Sequence, residues 1–166
     1  MDTHVGLAAQ LGSALGSRGL RVATAESCTG GMIAAAITAI AGSSAWFERG
    51  FVTYSNDAKS EMLGVPGELI AAHGAVSEAV GRAMAQGAVA GSHATCALSV
   101  TGVAGPGGGP AEKPVGMVCF GWAVPAGLHV ATRHFGGDRA AIRAAAVDVA
   151  LAGLIDLVEG RSRPGS

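Results

Sequence analysis

The chain has 166 residues, 49% hydrophobic and 14% charged, with a formal net charge of −1. Its length suits one domain with a proper core, and the near-neutral charge, with no basic stripe among aromatics, argues against a nucleic-acid partner. Its apolar stretches break well before the ~20 residues of a membrane span, and no basic segment followed by an apolar run opens the chain, so a cytoplasmic location is expected.

Residues 3–18 carry the apolar stripe Leu7, Ala8, Leu11, Ala14 and Leu15, at helical spacing. Arg18-Gly19 ends that helix, and residues 20–25 read as a buried strand. Thr29-Gly30-Gly31 opens an Ala/Ile-rich helix over 32–40, and 47–54 reads as a second strand. Asn56-Asp57 is expected to cap a short helix through Leu63, stopped by Gly64 and Pro66. Residues 68–72 add a helical turn, and Ser77 caps a longer helix over 78–90. Strands follow at 95–101 and 115–124, and Pro125-Ala126-Gly127 turns the chain into a hairpin partner over 128–135. Asp138 caps a last helix over 139–158, and residues 161–166 are expected to form a disordered tail. The predicted fold class is α/β: a single three-layer α/β/α sandwich on a mixed parallel/antiparallel sheet, with its domain over 1–160. Ligands of such sheets sit beyond the carboxyl ends of the strands.

Two glycine-rich loops leave strands at that end. The first reads Ala25-Glu26-Ser27-Cys28-Thr29-Gly30-Gly31, and the second Thr101-Gly102-Val103-Ala104-Gly105-Pro106-Gly107-Gly108-Gly109. Glycine lets backbone N–H groups approach an anion, and the hydroxyls add uncharged donors, so the loops suggest a grip on a small phosphorylated molecule. In the first loop the helix N-terminus favours an anion or a developing oxyanion, although Ser27 or Thr29 can equally be a plain cap. No Gly-Lys-Ser/Thr follows, so triphosphate hydrolysis is unsupported. The second loop is longer than a connector needs and carries Lys113 near its end. Lys59 and Lys113 are the two lysines of the chain, and both fall beside these loops.

Ser44 and the Tyr54-Ser55-Asn56-Asp57-Ala58-Lys59 segment flank the second strand. A serine needs a base to become a nucleophile, and a desolvated lysine can be that base. There is no Gly-x-Ser-x-Gly elbow, and the five histidines lack a partner motif. Asp138 reads as a cap. Arg139 and Arg143, four residues apart, share a helical face suited to a phosphate or carboxylate. Cys28, Cys96 and Cys119 are widely spaced, without CxxC, and point to neither a disulfide framework nor a metal site.

Taken together these segments resemble the CinA C-terminal domain family, the nicotinamide-nucleotide amidohydrolases. The matching stretches are Thr24 to Gly31, Thr53-Tyr54-Ser55-Asn56 with Lys59, Gly74 to Ser77, Thr101 to Gly108 with Lys113-Pro114-Val115-Gly116, and Gly137-Asp138-Arg139 with Arg143. The resemblance implies hydrolysis of the carboxamide of nicotinamide mononucleotide to nicotinate mononucleotide and ammonia, in pyridine-nucleotide salvage. It implies no metal or organic cofactor. Fitted to that chemistry, Ser44 is assigned as nucleophile and Lys59 as general base, with Tyr54 assisting proton transfer or orienting the ring. Ser27, at a helix N-terminus, competes with Ser44 for the nucleophile's role. Ser27 and Thr29 would stabilise the oxyanion or position the amide, with Gly30 and Gly31 also binding substrate. Thr101, Gly102, Gly105, Gly107, Gly108 and Arg143 would hold the ribose-phosphate end. A non-catalytic module sensing a phosphorylated nucleotide is the alternative. The low charge and Ala-rich helices suggest a homo-oligomer, most simply a dimer.

Overall fold

A computed structural model describes residues 3–109 and 111–161; the predicted tail, apart from Arg161, lies outside the described residues. Five strands form one sheet: β1 (Val22–Glu26), β2 (Phe47–Val52), β3 (Cys96–Gly102), β4 (Met117–Val124) and β5 (Gly127–His134). Their order is β2-β1-β3-β4-β5. β1 pairs parallel with both β2 and β3, whereas β3–β4 and β4–β5 are antiparallel. The mixed sheet expected from the sequence is therefore observed.

Six helices cover the two faces: α1 (Thr3–Gly16), α2 (Met32–Thr38), α3 (Asn56–Leu63), α4 (Gly67–His73), α5 (Glu78–Ala90) and α6 (Arg139–Val158). On one face, Val22, Leu98, Val100, Phe120 and Trp122 pack against Leu11, Leu15, Ile37, Leu151 and Leu154 of α1, α2 and α6. On the other, the strands offer alanines (Ala23, Ala25, Ala97, Ala123) to Val80, Met84, Ala85 and Ala88 of α5 and to residues of α3 and α4. The difference in side-chain size follows from the close seat of α5. Ser99 Oγ donates to Gly81 O at 2.6 Å, and a Cβ built on Gly121 would lie 2.3 Å from that same carbonyl. With both faces covered, β1 is buried throughout, as a central parallel strand requires.

Local signals explain most boundaries. Ser77 and Asp138 cap α5 and α6 by accepting from Val80 N and Ala141 N. For α3 the cap is Ser55, whose Oγ accepts from Ala58 N, not the expected Asn56-Asp57; Gly64 closes it at φ 68°. β1 begins two residues later than predicted because Leu20 N–H donates to Leu15 O, closing α1. β4 starts at Met117, after a turn in which Met117 N–H reaches back to Pro114 O.

The connection from β1 to β2 runs through α2 on one face, and the return to β3 runs through α3, α4 and α5 on the other. Carboxyl ends of adjacent strands with diverging connections form a crevice. Here the crevice lies beyond β1 and β3, where both glycine-rich loops begin.

Candidate active site

Ser27 is the first residue past β1. Its N–H still donates to Val100 O at 2.9 Å, so β3 fixes its backbone. Lys59, in the first turn of α3, is 1% exposed. Its Nζ lies 3.0 Å from Ser27 Oγ, 2.9 Å from Thr53 O and 3.4 Å from Tyr54 O. Burial lowers the Lys59 pKa from the ordinary lysine value, opposed in part by the charge of an ionised Cys28. A helix N-terminus is also an unfavourable place for a cation. The Cys28 thiol is pushed up to about 11, chiefly by burial, so it is protonated at neutral pH.

The amine geometry decides what this pair can do. Carbonyl oxygens only accept, so Thr53 O and Tyr54 O take two of the amine's N–H bonds. Lys59 Nζ donates to Ser27 Oγ, and the Ser27 hydroxyl donates to Tyr54 O at 3.5 Å. Burial favours the neutral form of an amine that lies within hydrogen-bond reach of a serine hydroxyl, the spacing that a serine–lysine pair needs.

Around the pair is an open cleft of about 480 Å³. The β1 and β2 ends supply Ser27, Cys28 and Tyr54, and α3 supplies Asn56 and Lys59. Ala75 and Val76 come from the link before α5, Thr101, Gly102 and Ala104 from the end of β3, and Arg139 from the start of α6. Among the described residues no carboxylate lines it. Arg139 donates to Gly105 O at 2.6 Å and to the Tyr54 hydroxyl at 3.2 Å, joining three segments at the mouth. Thr101 Oγ1 donates to Ala75 O at 2.9 Å.

The structure brings Ser27, Lys59, Tyr54, Thr101 and Gly102 together. It does not bring Ser44 to them. Ser44 is exposed in a 3-10 turn (Ser43–Ala45) before β2, whereas Lys59 lies past the other end of that strand. Six residues of β2 span about 20 Å at ~3.3 Å per residue. Tyr54 is 64% exposed, and its backbone carbonyl, not its phenol, contacts the Ser27–Lys59 pair. Thr29, Gly30 and Gly31 lie behind the cleft wall: Thr29 is fully buried, and Gly30 N–H donates to Ser27 O. The first-turn donors of α2, expected to seat an anion, are occupied by Glu26, which accepts from Ile33 N and Ala34 N.

In the second loop Ala104 lines the cleft, while Gly105 reaches it only through its carbonyl on Arg139, and Gly107 and Gly108 stand outside it. Arg143 Nε donates to Cys28 O at 3.0 Å, so this side chain braces the first loop and does not face the cleft. Lys113 Nζ donates to His73 O, tying the second loop to the end of α4. Asn56, Ala75, Val76 and Arg139 are cleft residues that sequence reasoning left without a role or, for Arg139, undivided from Arg143. Helical spacing put the two arginines on one face, but only the first residue of α6 reaches the mouth.

Known proteins resemble this chain over most of its length. The CinA C-terminal domain model matches residues 4–158. The chain is 56% identical over 146 residues to the nicotinamide-nucleotide amidohydrolase PncC of Escherichia coli strain K12, covering 87% of this chain and 88% of the relative. Against the nicotinamide-nucleotide amidohydrolase PncC of Pseudomonas putida it is 51% identical over 157 residues, 95% of this chain and 98% of that one. Among solved structures, the competence/damage inducible protein CihA from Agrobacterium tumefaciens superposes with a TM-score of 0.91 at 48% identity, over 95% of this chain and 96% of that one. The competence damage-inducible protein A from Klebsiella pneumoniae gives 0.92 at 40% identity, over 97% and 100%.

Proposed function

Because the chain belongs to the CinA C-terminal domain family, we propose that it is a nicotinamide-nucleotide amidohydrolase, converting nicotinamide mononucleotide and water to nicotinate mononucleotide and ammonia in pyridine-nucleotide salvage. The observation that carries the mechanism is the 3.0 Å contact of Lys59 Nζ with Ser27 Oγ. Ser27, and not Ser44, is the nucleophile in this reading.

The neutral Lys59 amine takes the Ser27 proton as Oγ attacks the carboxamide carbon. The resulting ammonium passes that proton to the amide nitrogen, and ammonia leaves an ester on Ser27. Water then attacks the ester, giving its proton to Lys59 and from there to Ser27 Oγ, and the carboxylate product departs. One base serves both halves, as microscopic reversibility demands. The oxyanion falls to the N–H of Cys28, which lines the cleft and donates to no backbone carbonyl among the described residues.

The exposed Tyr54 ring stacks on the cationic pyridinium, against walls made by Ala75, Val76 and Ala104. Arg139, a fork of donors at the mouth bonded to Gly105 O and the Tyr54 hydroxyl, takes the phosphate. The scheme uses no metal or organic cofactor. The reading keeps the chain cytoplasmic, a homodimer, and without a nucleic-acid partner, on its low charge and Ala-rich helices; among the described residues no helix is long and apolar enough to cross a membrane. Incubation with nicotinamide mononucleotide tests the assignment. Equimolar nicotinate mononucleotide and ammonia are expected, whereas ligand bound and recovered unchanged would favour the sensing module.

A further inference from the structure

Glu26 ends β1, immediately before Ser27, and its side chain is 1% exposed. One carboxylate oxygen accepts from Ile33 N at 2.9 Å and the other from Ala34 N at 3.0 Å. A serine or asparagine cap satisfies one such donor; this carboxylate satisfies two, and does so from the strand at the far end of the loop. It also sets a negative charge at the positive end of α2. The Glu26 backbone is fixed as well, since its carbonyl accepts from Thr53 N at 2.9 Å. Residues 27–32 are thereby closed into a loop with both ends set.

From outside, Arg143 Nε donates to Cys28 O at 3.0 Å and its NH2 to Thr29 O at 3.4 Å. In a trans peptide the N–H points opposite the C=O of the same unit. The Thr29 N–H, which shares a peptide with the Cys28 carbonyl, is thus turned away from Arg143. Glu26 and Arg143 together hold the loop with its carbonyls outward.

We propose that Glu26 is the positioning residue for Ser27: its carboxylate sets the 27–32 loop so that the Ser27 hydroxyl meets the Lys59 amine. Glu26 touches neither substrate nor the reacting atoms. The role in turnover rests on the amidohydrolase reading, but the reactivity of Ser27 toward a generic electrophile does not.

Two readouts test it on the full chain. A small alkyl fluorophosphonate forms an Oγ–P bond on an activated serine, releasing fluoride as Lys59 takes the proton; its rate on Ser27 is followed by mass spectrometry. Steady-state ammonia release from nicotinamide mononucleotide gives kcat and KM separately. Glu26→Gln keeps the size but sets an NH2 against one of the two N–H donors. With the fold verified by circular dichroism, labelling is expected to slow about 10²-fold, the scale of a 1 Å misplacement. The same loss should appear in kcat, with KM within about threefold. Glu26→Asp keeps the charge but cannot span both donors, and the same loss is expected; it serves if the amide variant does not fold. A loss smaller than tenfold in a folded variant, a loss carried by KM, or a wild-type Ser27 that resists the probe overturns the proposal. A wild type that is labelled but releases no ammonia sinks the amidohydrolase reading, while the labelling rates still decide the role of Glu26.

Discussion

Lys59 answers to two demands that usually conflict. It must be buried to lose its proton, and it must be reached by a proton donor. The contacts to Thr53 O and Tyr54 O resolve this, because both use N–H bonds that the neutral amine retains. Since only the amine is a base, kcat/KM should rise with pH to a plateau, with slope one and a midpoint below the ordinary lysine value near 10.4. A midpoint at or above that value would contradict the buried geometry. Stability follows the same shift. Between the folded and unfolded pKa values the unfolded chain holds one more proton at this site, so the folded state gains stability as pH rises through that window. Below the folded pKa the penalty is complete; above the unfolded pKa it has vanished. Denaturant titrations of wild type and Lys59→Met should show the wild type gaining relative stability toward pH 10, and a difference that falls with pH would reverse the assignment.

Arg139 carries the other residue-scale claim. With the phosphate on its guanidinium, Arg139→Ala should raise KM for nicotinamide mononucleotide on the order of 10-fold or more and change kcat much less, the pattern of lost uniform binding. A variant that loses kcat at constant KM would place Arg139 nearer the chemistry. The proposed nucleophile was legible in the sequence only as a choice between two serines. Ser27 and Ser44 each neighbour a strand and a glycine, and neither composition nor local spacing tells which end of β2 faces Lys59. That depends on β1 and β2 being parallel, which brings the end of β1 beside the start of α3.

At the scale of elements, packing between α5 and the sheet is set by backbone contact. A Cβ on Gly121 would sit 2.3 Å from Gly81 O and 2.7 Å from Ser99 Oγ, atoms already joined at 2.6 Å. Gly121→Ala should destabilise the fold by about 1–3 kcal/mol, the usual range for overpacking a close interface. Thermal unfolding checks this, and an unchanged midpoint would mean that α5 can withdraw freely. The helices themselves were readable because their caps are chemical: Ser77 and Asp138 satisfy first-turn N–H groups in the expected places. The α3 cap was missed by one residue, since Ser55, Asn56 and Asp57 are all good caps in a row. The role of Glu26 was hidden for a different reason, because its partners lie seven and eight residues away.

In the whole molecule, the site exists because the connection leaving β1 runs through α2 on one face and the one leaving β2 runs through α3 to α5 on the other, opening a crevice beyond β1 and β3. The alternation of strands and helices made the mixed sheet and the loop-bearing end predictable. The division of labour within the loops was not, because it depends on long-range partners: Arg143 and Lys113 brace carbonyls, and Arg139 alone among the three lines the cleft. The central claim is that Ser27 and Lys59 act as one unit on nicotinamide mononucleotide. Ammonia release from that substrate, measured on wild type beside Ser27→Ala, Lys59→Ala and Ser44→Ala, tests it most directly. Wild type and Ser44→Ala should turn over alike, with each of the other two folded variants slower by at least about 10³-fold. Retained turnover in Ser27→Ala, with its loss in Ser44→Ala, would contradict the account.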